Sequence, residues 1–207
     1  MLRAEAAWLA RRLEDIPAEQ LSPLLSVGSG HSELRATQPW LGERIYEPLA
    51  RRGVQVLHHE LEAAPGVDVA GDLTDPAFLA SLRALEPRSL MCCNVLEHVP
   101  NLPELAGAIE SLVPPGGYLF VTVPRRYPYH PGPIDTMYRP TVDELRVLFG
   151  RLELVEGDEI RCESLLSYFL SSPTKGTSFK RGARTRAPLR MLLGSTAVSA
   201  VVLRAAA

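Results

Sequence analysis

Short apolar runs alternate along the chain with stretches whose apolar positions recur at helical spacing, the pattern of an α/β fold on a mainly parallel sheet. Leu2–Leu13 carries that helical spacing, and Ile16-Pro17 separates it from a second short helix, which predicts an N-terminal helical cap over 1–22. The first strand is expected at Leu24–Val27, where Gly28-Ser29-Gly30 breaks it. A helix is expected over Trp40–Arg52, ended by Gly53. Val54–Leu57 reads as the second strand and Val67–Ala70 as a short third one. Ser89–Val95 is almost continuously apolar, as a central strand covered on both faces must be.

Pro76–Leu85, entered through Thr74 or Asp75, and Leu102–Leu112 are expected helices. Pro114-Pro115-Gly116-Gly117 turns the chain into a fifth strand, Tyr118–Val123. Thr141 with Glu144 three positions on forms a capping box for a helix reaching Phe149. Leu152–Asp158 and Thr196–Arg204 read as two late strands. The connection between them, 161–195, far exceeds the usual α/β loop and is expected to be an insertion covering the site.

A chain of 207 residues that is 46% hydrophobic can bury one sizeable core, so a single domain over 1–207 is expected, with 24–160 and 196–205 as its core. Its 22 basic and 24 acidic residues are mixed along most of the length, so no global field points to nucleic acid or to a membrane as partner. The exception is Lys175–Arg190, basic without a carboxylate, which reads either as a solvated loop or as a surface that steers an anionic acceptor. Cys92 and Cys93 adjoin inside an apolar run, which fits neither a disulfide framework nor paired zinc spacing and suggests reduced cysteines in a cytoplasmic protein. Met1–Arg12 lacks the uninterrupted apolar stretch of a signal peptide, and Met191–Leu203 is shorter than the about 20 residues a spanning helix needs. A small-molecule acceptor is the expected partner, with room for a homodimer.

In an open parallel sheet the ligand sits beyond the carboxyl ends of the strands, so the residues just after each apolar run carry the chemistry. Strand one ends in Val27-Gly28-Ser29-Gly30, where glycines allow close backbone approach. Strand two runs into His58-His59-Glu60, and a carboxylate there can accept from both ribose hydroxyls of a nucleoside. Strand three ends in Gly71-Asp72-Leu73 and strand four in Asn94-Val95-Leu96-Glu97-His98-Val99.

These segments together, followed by Pro115-Gly116-Gly117, resemble class I S-adenosylmethionine-dependent methyltransferases of the type 11 group, over about Leu24–Phe149. The resemblance implies a Rossmann-like three-layer sandwich: a seven-stranded, mainly parallel sheet with an antiparallel closing hairpin. It implies S-adenosylmethionine as cofactor, held by Val27, Gly28, Ser29, Gly30, Glu60, Asp72, Leu73, Asn94 and Val95. Within that set Gly28 and Gly30 meet the methionine part, Glu60 the ribose, Asp72 and Leu73 the adenine, and Asn94 the methionine amine or the acceptor. Ser26 stands where that family usually has an acid and Ser32 where a third glycine is common.

The cofactor's sulfonium makes its methyl carbon electrophilic, so the protein has mainly to align a nucleophile. A hydroxyl acceptor gains from a general base, and His98, His130 and Tyr138 are the catalytic candidates. The last two lie in the proline-stiffened segment Pro124–Pro140, where Asp135 and Arg139 are candidates to bind the acceptor. That segment can equally be a staple, with Asp135 paired to Arg139 and His130 capping the turn. His98 and Glu97 can likewise serve only to start the following helix. No metal site is expected, since His58 and His59 point to opposite faces of a strand and no further ligand adjoins them. Trp8 and Trp40 are expected to pack. A nicotinamide-dependent oxidoreductase, against which the absent third glycine speaks, and a scaffold protein that kept the fold without catalysis are the other classes compatible with the pattern.

Overall fold

The computed structural model describes residues 1–130, 134–171 and 193–207. Seven strands form one sheet: β1 (Leu24–Val27), β2 (Val56–Glu60), β3 (Val69–Ala70), β4 (Ser89–Cys93), β5 (Tyr118–Arg126), β6 (Glu153–Ser164) and β7 (Ser195–Arg204). Their order in space is β3-β2-β1-β4-β5-β7-β6. The first five run parallel, and β7 lies antiparallel between β5 and β6, so the α/β three-layer fold with its closing hairpin is present.

Helices α1 (Arg3–Glu14), α2 (Ala18–Leu21), α3 (Ser32–Ala36), α4 (Pro39–Leu41), α5 (Glu47–Arg51), α6 (Pro76–Arg83), α7 (Leu102–Leu112), α8 (Val142–Leu148) and α9 (Leu165–Ser171) connect the strands. The sheet alternates its apolar residues between two cores. Leu25, Val27, Leu90, Cys92, Leu119 and Val121 face the side of α6, α7 and α8. Leu24, Met91, Phe120, Ala200 and Val202 face α1, α4 and α5. This period of two lets a short parallel strand be apolar throughout and still serve both layers.

Several boundaries differ from those expected. The single helix over Trp40–Arg52 is α4, a π-helical turn (Gly42–Tyr46) and α5. Pro48 has no N–H to donate, and the wider turn bonds the Glu47 N–H to the Gly42 carbonyl instead. Strand β2 starts at Val56 and runs on through the polar His58-His59-Glu60, because these pair with β1 and β3. Strand β4 stops at Cys93 because Asn94 turns left-handed, φ 55°. The late strands outrun their apolar stretches, β6 reaching Ser164 along β7. The insertion expected at 161–195 therefore yields its first residues to β6 and the next to α9. Residues 172–192, which include the basic run Lys175–Arg190, lie outside the described residues.

Trp8 and Trp40 are buried in the second core, as expected of packing residues. A less expected occupant of that layer is Glu5, fully buried in the first turn of α1. One carboxylate oxygen accepts the Asn94 Nδ2–H at 2.7 Å and the Thr122 hydroxyl at 2.5 Å; the other accepts the Leu2 N–H at 2.8 Å. Three donors and the positive end of the α1 dipole offset its desolvation. Glu5 thereby ties the N-terminal helix to the ends of β4 and β5.

Glu5→Ala leaves those donors buried without an acceptor and is expected to lower the unfolding free energy by about 2–4 kcal/mol. Urea denaturation measures it, and Glu5→Gln, whose amide oxygen can still accept, should lose less.

Candidate active site

The register of β1 sets the geometry. Val27 pairs with His59 on one side and Cys92 on the other, which brings Gly28, Glu60 and the Cys93-Asn94 corner to one level at the carboxyl edge of the sheet. Gly28 has φ +60°, and a Cβ there would lie 2.5 Å from a methyl of Val95. Gly30, at φ +74°, would meet Leu34 at 2.9 Å. Both positions exclude other residues, by conformation and by contact.

Beyond the glycines the loop is pinned from both sides. The Gly30 N–H donates to the Glu60 carboxylate, and the Gly30 carbonyl accepts from the Arg35 guanidinium. The other arm of Arg35 reaches the Gly66 carbonyl at 2.8 Å. Ser32, where the resembled family commonly has glycine, opens α3 and donates its N–H to Pro65 at 2.8 Å, while the His31 ring caps the helix. Ser26, in place of the usual acid, is buried and hydrogen-bonds the Tyr46 phenol.

At the β3 end, the Asp72 carboxylate accepts the N–H and hydroxyl of Thr74 at 2.8 and 2.7 Å, which hold its carboxyl below the usual range. Leu73 is buried beside it. His59 faces the Gly71 carbonyl at 2.9 Å, whereas His58 faces the Ser29 hydroxyl at 3.2 Å and packs edge-on against Tyr46.

These parts enclose a cavity of about 710 Å³. All nine residues expected at the cofactor, Val27, Gly28, Ser29, Gly30, Glu60, Asp72, Leu73, Asn94 and Val95, line it, and His98 lines its far end. The volume suits a nucleoside-sized ligand. The edge offers what S-adenosylmethionine requires: a glycine loop no side chain could occupy, a carboxylate for the ribose, and an apolar slot at Leu73 and Val95.

The other expected residues lie past this wall. His98 ends the 3₁₀ turn Leu96–His98, and the His130 ring stacks edge-on to it at 5.1 Å. Thr136 donates its N–H to the Glu97 carbonyl at 2.8 Å, docking the segment after β5 on that turn. Asp135 is wholly engaged by its own loop. It pairs with Arg139 at 2.7 Å and accepts the His130 N–H at 2.9 Å, contacts that bring its carboxyl down to about 2 against the cost of burial. Arg139 also donates to the Tyr127 and Pro128 carbonyls. Tyr138 packs against the α7 and α8 core, and neither it nor Asp135, Arg139 or His130 is among the residues lining the cavity.

Sequence reasoning missed Glu5, Arg35 and Tyr46. Glu5 lies on the apolar stripe Leu2, Ala6, Leu9, Leu13 of α1, and a lone carboxylate on a buried face was the available signal. Arg35 and Tyr46 sit on short helices without clear periodicity.

This strand order with this glycine loop and acidic second strand end defines a class I S-adenosylmethionine-dependent methyltransferase. Residues 5–153 match the methyltransferase domain family, and the chain belongs to it. A ubiquinone biosynthesis O-methyltransferase of Xanthomonas axonopodis pv. citri (strain 306) is 32% identical over 123 residues, 58% of this chain and 49% of that relative. The matched part thus spans about half the relative's length. Among solved structures, the fold is shared with a SAM-dependent methyltransferase from Anabaena variabilis (13% identity, TM-score 0.60, 98% of this chain and 84% of that one). One from Archaeoglobus fulgidus is similar (14% identity, TM-score 0.54, 98% and 94%). The cofactor of the class is S-adenosylmethionine. No helix among the described residues is long and apolar enough to cross a membrane.

Glu60→Ala removes the acceptor of the Gly30 N–H together with the carboxylate expected to hold the ribose, and calorimetry should show S-adenosylhomocysteine binding weakened by about 1–3 kcal/mol. A second expectation concerns pH. Burial first, then the Arg35 guanidinium, pushes His58 down to about 4, with Asp68 opposing. The unfolded chain protonates this ring near 6.5, so its contribution to stability is complete above about pH 6.5 and is lost as pH falls toward 4. The urea midpoint of the wild type should therefore fall more steeply over that window than that of His58→Asn.

Proposed function

We propose that the chain transfers a methyl group to an oxygen of a small hydroxylated molecule in the cytoplasm. The observation that carries this reading is that one cavity takes in Glu60, Asp72 and His98 together, so a cofactor lodged at the glycine loop shares it with an imidazole. When bound, S-adenosylmethionine supplies an electrophilic methyl: the new O–C bond forms, the S–C electron pair stays on sulfur, and the acceptor gives up its proton. The rest is orientation and proton handling by this chain.

Gly28 and Gly30 keep the floor low, Glu60 fixes the sugar, and Asn94 stands at the corner between the two ends. Its left-handed backbone and its bond to Glu5 aim it there. The His98 Nδ1 faces the Ile134 carbonyl, an acceptor only, so Nδ1 carries the hydrogen and Nε2 keeps its lone pair. His130 adds a second ring nitrogen nearby. In this reading Asp135 and Arg139 act on the acceptor through the loop they hold, and Tyr138 through the packing beneath it. The O-methyltransferase relative favours oxygen as the atom methylated. All three cysteines, Cys92, Cys93 and Cys162, are free, which suits a reducing compartment.

The test is incubation with S-adenosylmethionine labelled in its methyl group and a panel of small phenols and enediols. Label recovered as a methyl ether in the small-molecule fraction is the expected result. Label only on nitrogen, or only on macromolecules, would overturn the choice of acceptor.

A further inference from the structure

The acceptor end holds one group that none of these roles uses. The Glu97 side chain is 1% exposed, and neither carboxylate oxygen has a hydrogen-bond partner among the described residues. Its neighbour Arg139 does not satisfy it, being committed through both terminal nitrogens to Asp135. A native carboxylate is seldom buried bare, because its charged form then loses water and gains nothing. A cation or a hydrogen-bond donor brought to this point would supply the partner that the described side chains do not.

Two imidazoles lie beside that carboxylate. His98 Nε2 lies 3.8 Å from Glu97 Oε1, and its Nδ1 is held by the Ile134 carbonyl. His130 Nδ1 faces Asp135 Oδ2 at 3.1 Å and the Pro128 carbonyl at 3.4 Å, which leaves Nε2 as the lone pair. One donor atom from each of Glu97, His98 and His130 lies within 4.8 Å of the other two. Each imidazole thus has its second nitrogen bonded to a carbonyl or carboxylate, the arrangement that fixes ring orientation at metal centres. Ligand bonds of about 2.0–2.2 Å in a tetrahedral shell place donors about 3.3–3.6 Å apart, so the three groups must draw together when the ion binds.

We propose that Glu97, His98 and His130 bind one divalent transition-metal ion where the turn after β4 meets the loop after β5, at the His98 edge of the cavity. Two imidazoles with one carboxylate suit Zn²⁺, Fe²⁺, Co²⁺ or Mn²⁺ better than the all-oxygen shells of Mg²⁺ and Ca²⁺. Three protein ligands leave a coordination position open, and the oxygen of a hydroxylated acceptor is the chemistry that fits it. The proposal deepens the reading of this end as the acceptor subsite and rests on it. It also departs from the sequence expectation of no metal, which weighed only His58, His59 and Glu60; those residues keep their own partners. The ligands come from two segments, the β4 exit and the loop after β5, that the Thr136–Glu97 bonds and the His98–Ile134 contact hold together.

Chelator-stripped protein titrated with Co²⁺ alone, followed by calorimetry and visible absorption, tests it. One equivalent of Co²⁺ bound with a ligand-field band is expected in the wild type, and Glu97→Gln and His130→Ala should each weaken binding tenfold or more. Both variants should still bind S-adenosylhomocysteine, which shows that they fold. No Co²⁺ uptake by the wild type, or uptake equally tight in both variants, would overturn the metal site and leave the methyltransferase reading standing. A wild type that binds no S-adenosylhomocysteine removes the reading and the metal site together.

Discussion

The site depends on one constraint, the register that holds β1 between β2 and β4. Pairing Val27 with both His59 and Cys92 makes the carboxyl ends of three strands stop at one level, and a side chain slipped by one residue would point to the opposite layer. Because β1 is buried throughout, the register cannot drift without exposing Leu24 or Leu25. The cavity is the consequence: glycines end the middle strand, and its neighbours continue into Glu60 on one side and Asn94 on the other. Gly28 then packs so closely on Val95 that the first and fourth strand ends form one wall.

Two polar ties extend this wall into a chamber. Glu5 carries α1 to Asn94 and Thr122, closing the cavity from the second core. Thr136 docks the loop after β5 on the Glu97–His98 turn, beside the His98 edge of the cavity. Buried polar ties cost desolvation, so they serve where position matters more than burial. Both meet at the β4 exit, where Asn94 in a left-handed conformation ends the strand and turns the chain toward His98. The glycine-loop edge is held by backbone geometry; the turn after β4 is held by side chains.

That difference explains what the sequence disclosed. The strand ends were legible because parallel strands write themselves as apolar runs and glycines mark their exits, so all nine residues expected at the cofactor line the cavity. Boundaries drifted where pairing overrode hydropathy: β2 kept its polar end because β3 pairs with it, and β6 followed β7 well past its apolar residues. The broken helix 39–51 could not be read because its signal is Pro48 within an otherwise helical pattern. Glu5 and Arg35 were hidden for another reason. A carboxylate or guanidinium in a helix looks solvated until its long-range partners are known, and theirs lie far away in the chain, at Thr122 for Glu5 and at Gly66 for Arg35.

The loop after β5 shows where the two outcomes weighed for it are both partly right. Asp135 and Arg139 do staple each other, as the plainer alternative holds, and Asp135 has no atom left for a substrate. Yet the staple is what brings His130 within ring contact of His98. A loop that served only its own stability would bury the Glu97 carboxylate against a donor, and Thr136, the residue docked on that turn, bonds the Glu97 backbone and leaves the side chain bare. The unsatisfied carboxylate beside two imidazoles is a cost carried on the turn this loop docks against, and such local costs gather where a protein meets its ligand.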